Sequence, residues 1–272
     1  MTVAMTWRDA AADLFLGATC PGCGDPAARL CPDCSAELAA GAVGPRHKAA
    51  LVGLPHWAAN PYAGLAGQLI TAAKDRHRQD LWKPLSVRLA VAVLALLADL
   101  GETRGLSGSA GDSPWNDGRS GSPLVAGPVW LVPIPSAPAA VRRRGWDCGR
   151  CLAGAASRRL VAAGLGAKIQ PLLRHGRRVA DQSGLGWAER RANLSGAYRL
   201  ARRPAEPWPP IVLVDDVVTT GASLAEGWRA LAAAGGRVVG AATIAATADL
   251  DRATWTGRPE AQISDQVRDD DW

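Results

Sequence analysis

A chain of 272 residues, 48% hydrophobic and 21% charged, has apolar material for one large α/β domain, or for a medium domain beside a small module. Arg8, Asp9 and Asp13 fall where a secretory leader would be apolar. The longest apolar stretch, LAVAVLALLADL at 89–100, is too short for a bilayer and ends in an acid. We therefore expect a soluble, cytoplasmic protein with no membrane span, in which 89–100 is a buried helix.

The formal net charge of +6 is unevenly spread. Between Arg142 and Arg203 there are 15 basic and 3 acidic residues, a formal +12; the remaining 16 basic and 22 acidic residues give −6. Lysine occurs only at 48, 74, 83 and 168, so 27 of the 31 basic residues are arginine. A GC-rich codon bias accounts for that choice of residue but not for where the charges sit. The asymmetry points to an anionic partner (phosphates, a nucleotide or a nucleic acid), with a solvated basic face as the alternative.

In chain order, four cysteines come first, in CPGCGDPAARLCPDC at 20–34. The spacing CxxC-x7-CxxC uses Cys20, Cys23, Cys31 and Cys34. Two such knuckles place four thiolates around one tetrahedral ion, and closed sites of this kind hold structural zinc. Disulfides are disfavoured in a cytoplasmic chain. Zinc would fold a module, over 15–45, too small to form its own core.

An alanine-rich stretch follows, then helices expected at 62–75 and 83–100. Residues 101–128, rich in Gly, Ser, Pro and Asp without apolar periodicity, read as a flexible insertion. Beyond them strands at 129–134, 167–173, 196–200, 211–216 and 237–246 alternate with helices at 147–164, 184–194 and 222–234. Such alternation implies an α/β domain, over 55–248, built on a mostly parallel sheet covered on both faces. The aliphatic run IVLV at 211–214 fits its central strand. The polar, acidic tail 249–272 reads as disordered.

The segment IVLVDDVVTTGAS, 211–223, carries the clearest chemistry. Successive side chains on a strand point to opposite faces, so Asp215 and Asp216 converge on one ligand only if the strand ends there and the backbone bends away. Ligands of open α/β sheets bind at the carboxyl ends of the strands. Free N–H groups at the start of the following helix, with Gly221 allowing close backbone approach, make a phosphate cradle, and Thr219, Thr220 and Ser223 add hydroxyl donors. Two carboxylates repel a phosphate placed on them, so they belong on sugar hydroxyls or on a bridging Mg²⁺. A sugar phosphate matches both halves. Neither a Walker A loop nor a dinucleotide-binding glycine fingerprint is present, and G-x-S-x-G and H-E-x-x-H are missing. His47, His56, His77 and His175 do not sit at metal spacing. Cys148 and Cys151 form a third CxxC, better read as semi-buried thiols than as a redox pair or metal site.

This segment closely resembles the 5-phosphoribosyl-1-diphosphate (PRPP) binding motif of type I phosphoribosyltransferases. The order of LVPIPSAPAAVRRRGWDCGRCLA, QSGLGWAERRANLSGAYRL and the motif itself is similar to that of the ComF family, competence- and DNA-uptake-associated proteins that include GntX-type relatives. Tyr62, Gly64, Leu69, Ile70 and Lys74 match a further segment of that family, and the resemblance spans about 20–100 and 129–247. It implies a phosphoribosyltransferase-like fold with an N-terminal zinc module. Asp215 and Asp216 become the catalytic acids on the ribose hydroxyls, and Thr219, Thr220, Gly221, Ala222 and Ser223 the 5′-phosphate loop. Arg142, Arg143 and Arg144, which follow Pro133-Ile134-Pro135, fall where a loop approaches the diphosphate; with Arg190 and Arg191 they are candidate contacts to diphosphate. The same arginines with Trp146 and Trp187 would suit single-stranded DNA. The implied cofactors are structural Zn²⁺ and Mg²⁺ bound with PRPP, and the implied partners PRPP, DNA and the uptake machinery. One departure is the sequence Arg144-Gly145-Trp146-Asp147-Cys148, where the family usually carries R-G-F-N-Q.

Overall fold

A computed structural model describes residues 19–26, 29–45, 51, 53–76, 78–106, 128–176, 196–205 and 207–248. The elements in order are α1 (Pro32–Ala39), β1 (Gly44–Pro45), β2 (His56–Pro61), α2 (Leu65–Asp75), a 3-10 turn (Gln79–Leu81) and α3 (Trp82–Leu106). There follow β3 (Val129–Pro133), α4 (Pro138–Arg144), α5 (Cys148–Ala162), β4 (Ala167–Ile169), β5 (Leu173–His175), β6 (Tyr198–Leu200), β7 (Ile211–Val218), α6 (Ala222–Ala232) and β8 (Val238–Ala246).

Six strands form one sheet in the order β1-β2-β8-β7-β3-β4, parallel throughout except for β1. The most apolar strands lie at its centre, as expected of a sheet covered on both faces. In β7 the alternation of side chains divides the core in two. Val212 and Val214 pack with residues of α2, α3 and α5 on one face, while Ile211 and Leu213 pack with residues of α6 on the other. The chain is thus a mixed α/β fold whose mostly parallel sheet is flanked by helices.

Helix α3 is apolar on nearly all sides, the signature of a helix buried in a core. It packs on α5 and lies across β8 and β2. Because the helix is continuous over 25 residues, the segment Gln79–Gly101 is by length and composition apolar enough to cross a membrane, contrary to the reading of 89–100 alone. Yet 61% of its apolar window is buried within the fold, where it serves as core. The helix also takes up residues 101–106, so the expected insertion begins later; 107–127 lie outside the described residues.

Other boundaries shift for local reasons. The strand expected over 167–173 is two strands, because Pro171 has no N–H to give a ladder and breaks the run. Its second half, β5, pairs antiparallel with β6 in a separate ribbon. Strand β2 and helices α1 and α4 are additions to the sequence reading. Among the described residues, Leu38 of α1 joins the cysteine region to the main core. Arg88 of α3 stitches it down, donating to the carbonyls of Ala39 (2.7 Å), Gly41 (2.5 Å) and Ala59 (2.7 Å) and to Asn60 Oδ1 (3.0 Å). A guanidinium buried to this depth needs every one of those acceptors.

Candidate functional site

Strand β7 does not end at the acid pair; it runs on to Val218, with Asp215 still paired to Thr243 of β8. The bend expected at Asp215-Asp216 is therefore absent, and strand alternation separates the carboxylates. Asp216 reaches toward α2, where its Oδ2 lies 2.5 Å from Lys74 Nζ. Asp215 belongs to the opposite side, and its Oδ1 turns back to accept the Asp216 N–H at 2.9 Å. Burial, and then the like charge of Asp216, push the Asp215 carboxyl up to about 8; Lys74 and the Asp216 N–H only partly offset this. Burial works against the charge on Lys74, but Asp216 and Asp215 outweigh it and hold the ammonium above its ordinary range.

Past Val218 the chain turns through Thr219 and Thr220 into α6. Gly221 has φ 81°, a left-handed conformation that a side chain resists, and it starts the helix with no side-chain cap. The Ala222 N–H lies 3.3 Å from Thr220 Oγ1. The first N–H groups of this eleven-residue helix, Thr219, Thr220 and Ser223 are thus gathered at the carboxyl edge of β7. Burial and then Asp215 hold the Tyr198 hydroxyl's pKa above the ordinary value, with Ser223 partly offsetting them. Tyr198 is positioned by its backbone N–H, which donates to the buried Glu226 of α6 at 3.1 Å, and by an edge contact with the His175 ring at 5.2 Å.

Arg142, Arg143 and Arg144 lie on a helix rather than a loop. Pro138 at its first turn presets the helical φ, so α4 forms directly after Ala137. Arg142 and Arg143 are exposed in its last turn, and Arg144 is half-buried. Arg144 Nη1 donates to Cys148 Sγ at 3.3 Å, while its buried Nε has no hydrogen-bond partner among the described residues. Asp147 caps α5, accepting from the Arg150 N–H at 3.2 Å and from Ser136 Oγ at 2.8 Å. Aspartate and asparagine cap a helix start about equally well, so the role survives where the ComF pattern has an amide, and Asp147 adds to the field that raises Asp215. Cys148 is buried and Cys151 exposed in the first turn of α5. Arg190, Arg191 and Trp187, the helix expected over 184–194, the tail 249–272, and His47 and His77 lie outside the described residues.

The four N-terminal cysteines converge. Their Sγ atoms all lie within 4.8 Å of one another, and Cys23 and Cys31 are 3.7 Å apart. Tetrahedral zinc with bonds of about 2.3 Å sets sulfur–sulfur distances near 3.8 Å, so the donor set fits such an ion. Burial opposes ionisation of Cys20, but the N–H groups of Cys31, Cys23 and Gly22 overcome it and bring the thiol down to about 6. Burial pushes Cys34 up, and the neighbouring thiols add to it. A dication removes that conflict, and the cluster could hold a metal such as zinc.

Between the cysteine knuckle and α2 lies a cavity of about 810 Å³, lined by Tyr62, Gly67, Gln68, Thr71 and Arg76 among others. Gly64 opens α2 at φ 78°, turning the chain from β2 into that helix. Tyr62 follows the carboxyl end of β2, two strands from β7 in the sheet, an offset of about 10 Å.

Sequence reasoning singled out the acids and the loop, and it anticipated the cluster of four thiols. It missed the partnership of Lys74 with Asp216 and the contributions of Tyr198 and Asp147, which depend on contacts between residues far apart in the chain. No protein-family model matches this chain, and no curated protein matches it.

Proposed function

We propose that this chain is a ComF-type protein with a phosphoribosyltransferase-like domain that binds PRPP or a related sugar phosphate and acts in DNA uptake or DNA handling. The observation that carries the proposal is the junction of β7 and α6. There, two carboxylates precede a threonine-bearing turn and an uncapped helix start at the carboxyl edge of a parallel sheet. A carboxylate acceptor for a sugar hydroxyl and donors for its phosphate lie within one stretch of nine residues, Asp215–Ser223. The cysteine cluster serves a zinc ion that is structural, since four thiolates leave no open position for catalysis. Mg²⁺ would enter with the diphosphate, and because Asp215 and Asp216 reach opposite sides of β7, one of the two would supply its hard oxygen donor. The exposed Arg142 and Arg143 fit a single-stranded nucleic acid backbone.

A second reading, a transferase that turns over, is favoured by the cavity beside α2, which has room for an acceptor. In that reaction the bond from ribose C1 to diphosphate breaks, positive charge develops on C1, and the leaving group departs toward the arginines. A nucleophilic nitrogen of a base or amine then bonds C1. The protein's part is positioning and electrostatic stabilisation.

The deciding experiment is calorimetric titration with PRPP and Mg²⁺, then with a single-stranded oligonucleotide at two salt concentrations. Saturable PRPP binding supports the sugar-phosphate site. Salt-sensitive oligonucleotide binding without PRPP binding would leave a nucleic-acid module and end the sugar-phosphate assignment.

A further inference from the structure

Positive charge collects along one edge of the fold. Residues 166–176 and 196–205 carry Lys168, Arg174, Arg199, Arg202 and Arg203 and no acid. Strands β5 and β6 lie within these segments, and their antiparallel register sets Arg174 directly opposite Arg199. Both are exposed, while the adjacent Leu173 and Tyr198 are buried in the core. Residues paired in this way share a face with their Cβ atoms about 5 Å apart, so like charges placed there repel. Neither side chain has a hydrogen bond or ion pair among the described residues. The stem of Arg199 lies over Gly176, where a Cβ would come to 2.7 Å from its Cγ and Cδ. Arg229 of α6 differs: it reaches the same ribbon at the Tyr198 carbonyl (3.4 Å) but is held by the buried Glu226 at 2.7 and 2.8 Å. A two-stranded ribbon is marginal in itself. Two opposed cations left without an acid weaken it further, and a polyanion lying across both would remove that repulsion.

The charged strip continues onto the main sheet. Arg202, just past β6, donates to Gln170 Oε1 at 2.7 Å and so joins the ribbon to the edge strand β4. On β4, Lys168 is exposed and in register with Trp130 of β3, which is in register with Ile211 of β7. Registered partners share a face, so Lys168 stands beside the half-buried Trp130, level with the amino end of β7. Trp208 is also half-buried, its ring centroid 6.0 Å from that of Trp130. A strip of cations with aromatic surface at one end matches a strand of nucleic acid, whose phosphates take the charges and whose bases stack. An acidic polypeptide would use the charges and leave the rings.

We propose that the outer face of the β5–β6 ribbon, with Arg202 and Lys168 at the sheet edge, docks the backbone of a single-stranded nucleic acid. Arg174 and Arg199 take neighbouring phosphates, and the strand runs past Arg202 to Lys168 and the two tryptophans. The inference rests on the DNA-handling part of the proposed function. It gives that part a surface reaching the amino end of β7, whereas the sugar-phosphate site lies at the carboxyl end.

The test follows binding of a fluorescent oligothymidylate of about 20 nucleotides, long enough for one domain, by anisotropy at two salt concentrations. Arg174→Gln with Arg199→Gln should weaken binding by about tenfold. It should also lower the slope of log affinity against log salt by about 1.4, the loss of two single-strand phosphate contacts. Arg174→Lys with Arg199→Lys keeps both charges and should restore most of that slope. Arg174→Gln alone should raise the melting temperature by about 1 °C at low salt, because one of two opposed cations is gone. Unchanged affinity and slope in the double glutamine variant, beside a wild-type protein that binds, would overturn the surface. Displacement of the oligonucleotide by poly-glutamate as readily as by polyuridylate would overturn the nucleic-acid partner in favour of an acidic protein. Wild-type protein that binds no oligonucleotide would overturn the DNA-handling reading as well, a result distinct from an unaffected variant. If the double glutamine variant does not fold, Arg174→Gln and Arg199→Gln carry the same comparison singly, each with about half the change in slope.

Discussion

The cysteine knuckle and the acid pair solve the same electrostatic problem in opposite ways. Both gather like-charged or readily ionised groups at short range: four thiols within 4.8 Å in one case, two adjacent carboxylates in the other. The knuckle is closed, with all four donors close enough that a single dication could satisfy every one of them. The acid pair is open. Its two carboxylates reach opposite sides of β7, one lysine serves them, and Asp215 is left at about 8. A closed cluster satisfies all its donors with one ion, while the open pair leaves Asp216 on Lys74 and a proton on Asp215. The comparison predicts that damage to the first lowers stability and damage to the second lowers binding.

The sharpest way to break the contrast is Cys20→Ser. It should reduce bound zinc from one ion per chain to none, measured by elemental analysis of the purified protein, and lower the melting temperature because α1 and the knuckle lose their anchor. Full metal content in the variant would remove the closed half of the comparison.

Next in size is the double variant Asp215→Asn with Asp216→Asn. Loss of the Asp216 carboxylate together with the Asp215 carboxyl should weaken PRPP by about tenfold or more in calorimetry, with the far-ultraviolet circular dichroism unchanged. Unaltered affinity would remove the acids from the site.

Asp215→Asn alone tests the claim that the open site costs stability. With the carboxyl raised to about 8 in the folded chain and near its ordinary value of 3.8 unfolded, the native state holds a proton that the unfolded state gives up. The stability that goes with that proton is complete below the unfolded value and is lost as pH rises through about 8. The asparagine variant keeps its neutral side chain throughout. Its melting temperature should exceed that of the wild type by about 3 °C or more at pH 8, with the gap closing toward pH 4. A gap independent of pH would show that Asp215 is not the group responsible.

The smallest effect belongs to the exposed arginines. Arg142→Ala with Arg143→Ala should leave the melting temperature alone and reduce the salt slope of oligonucleotide binding by about 1 to 2.

Much of this was legible in the sequence because it is local. IVLV announced a strand buried on both faces, TTGAS a turn into a helix, and the doubled CxxC a four-thiol cluster, each set by neighbours within a few residues. The strand His56–Pro61 was not legible. It carries two buried polar residues, His56 and Asn60, whose side chains bond to Thr243 and to Leu38 and Arg88, partners far away in the chain. The division of Asp215 from Asp216 was misjudged for a related reason. The pair looked like the end of a strand, but the ladder with β8 continues past it, and only the position of α2 decides which acid meets Lys74. The run AKIQPLL shows the local counterpart, in which one proline outweighs an otherwise favourable strand composition.

The central claim, that β7 and α6 together hold a sugar phosphate, is tested most directly by titrating isotope-labelled protein with PRPP and Mg²⁺ and following backbone amide resonances. The amides of Asp216 and of Thr219–Ser223 should shift together and saturate with one ligand per chain, and the same titration of the double asparagine variant should leave them still. Shifts confined to the knuckle and its cavity, or none at all, would contradict the account.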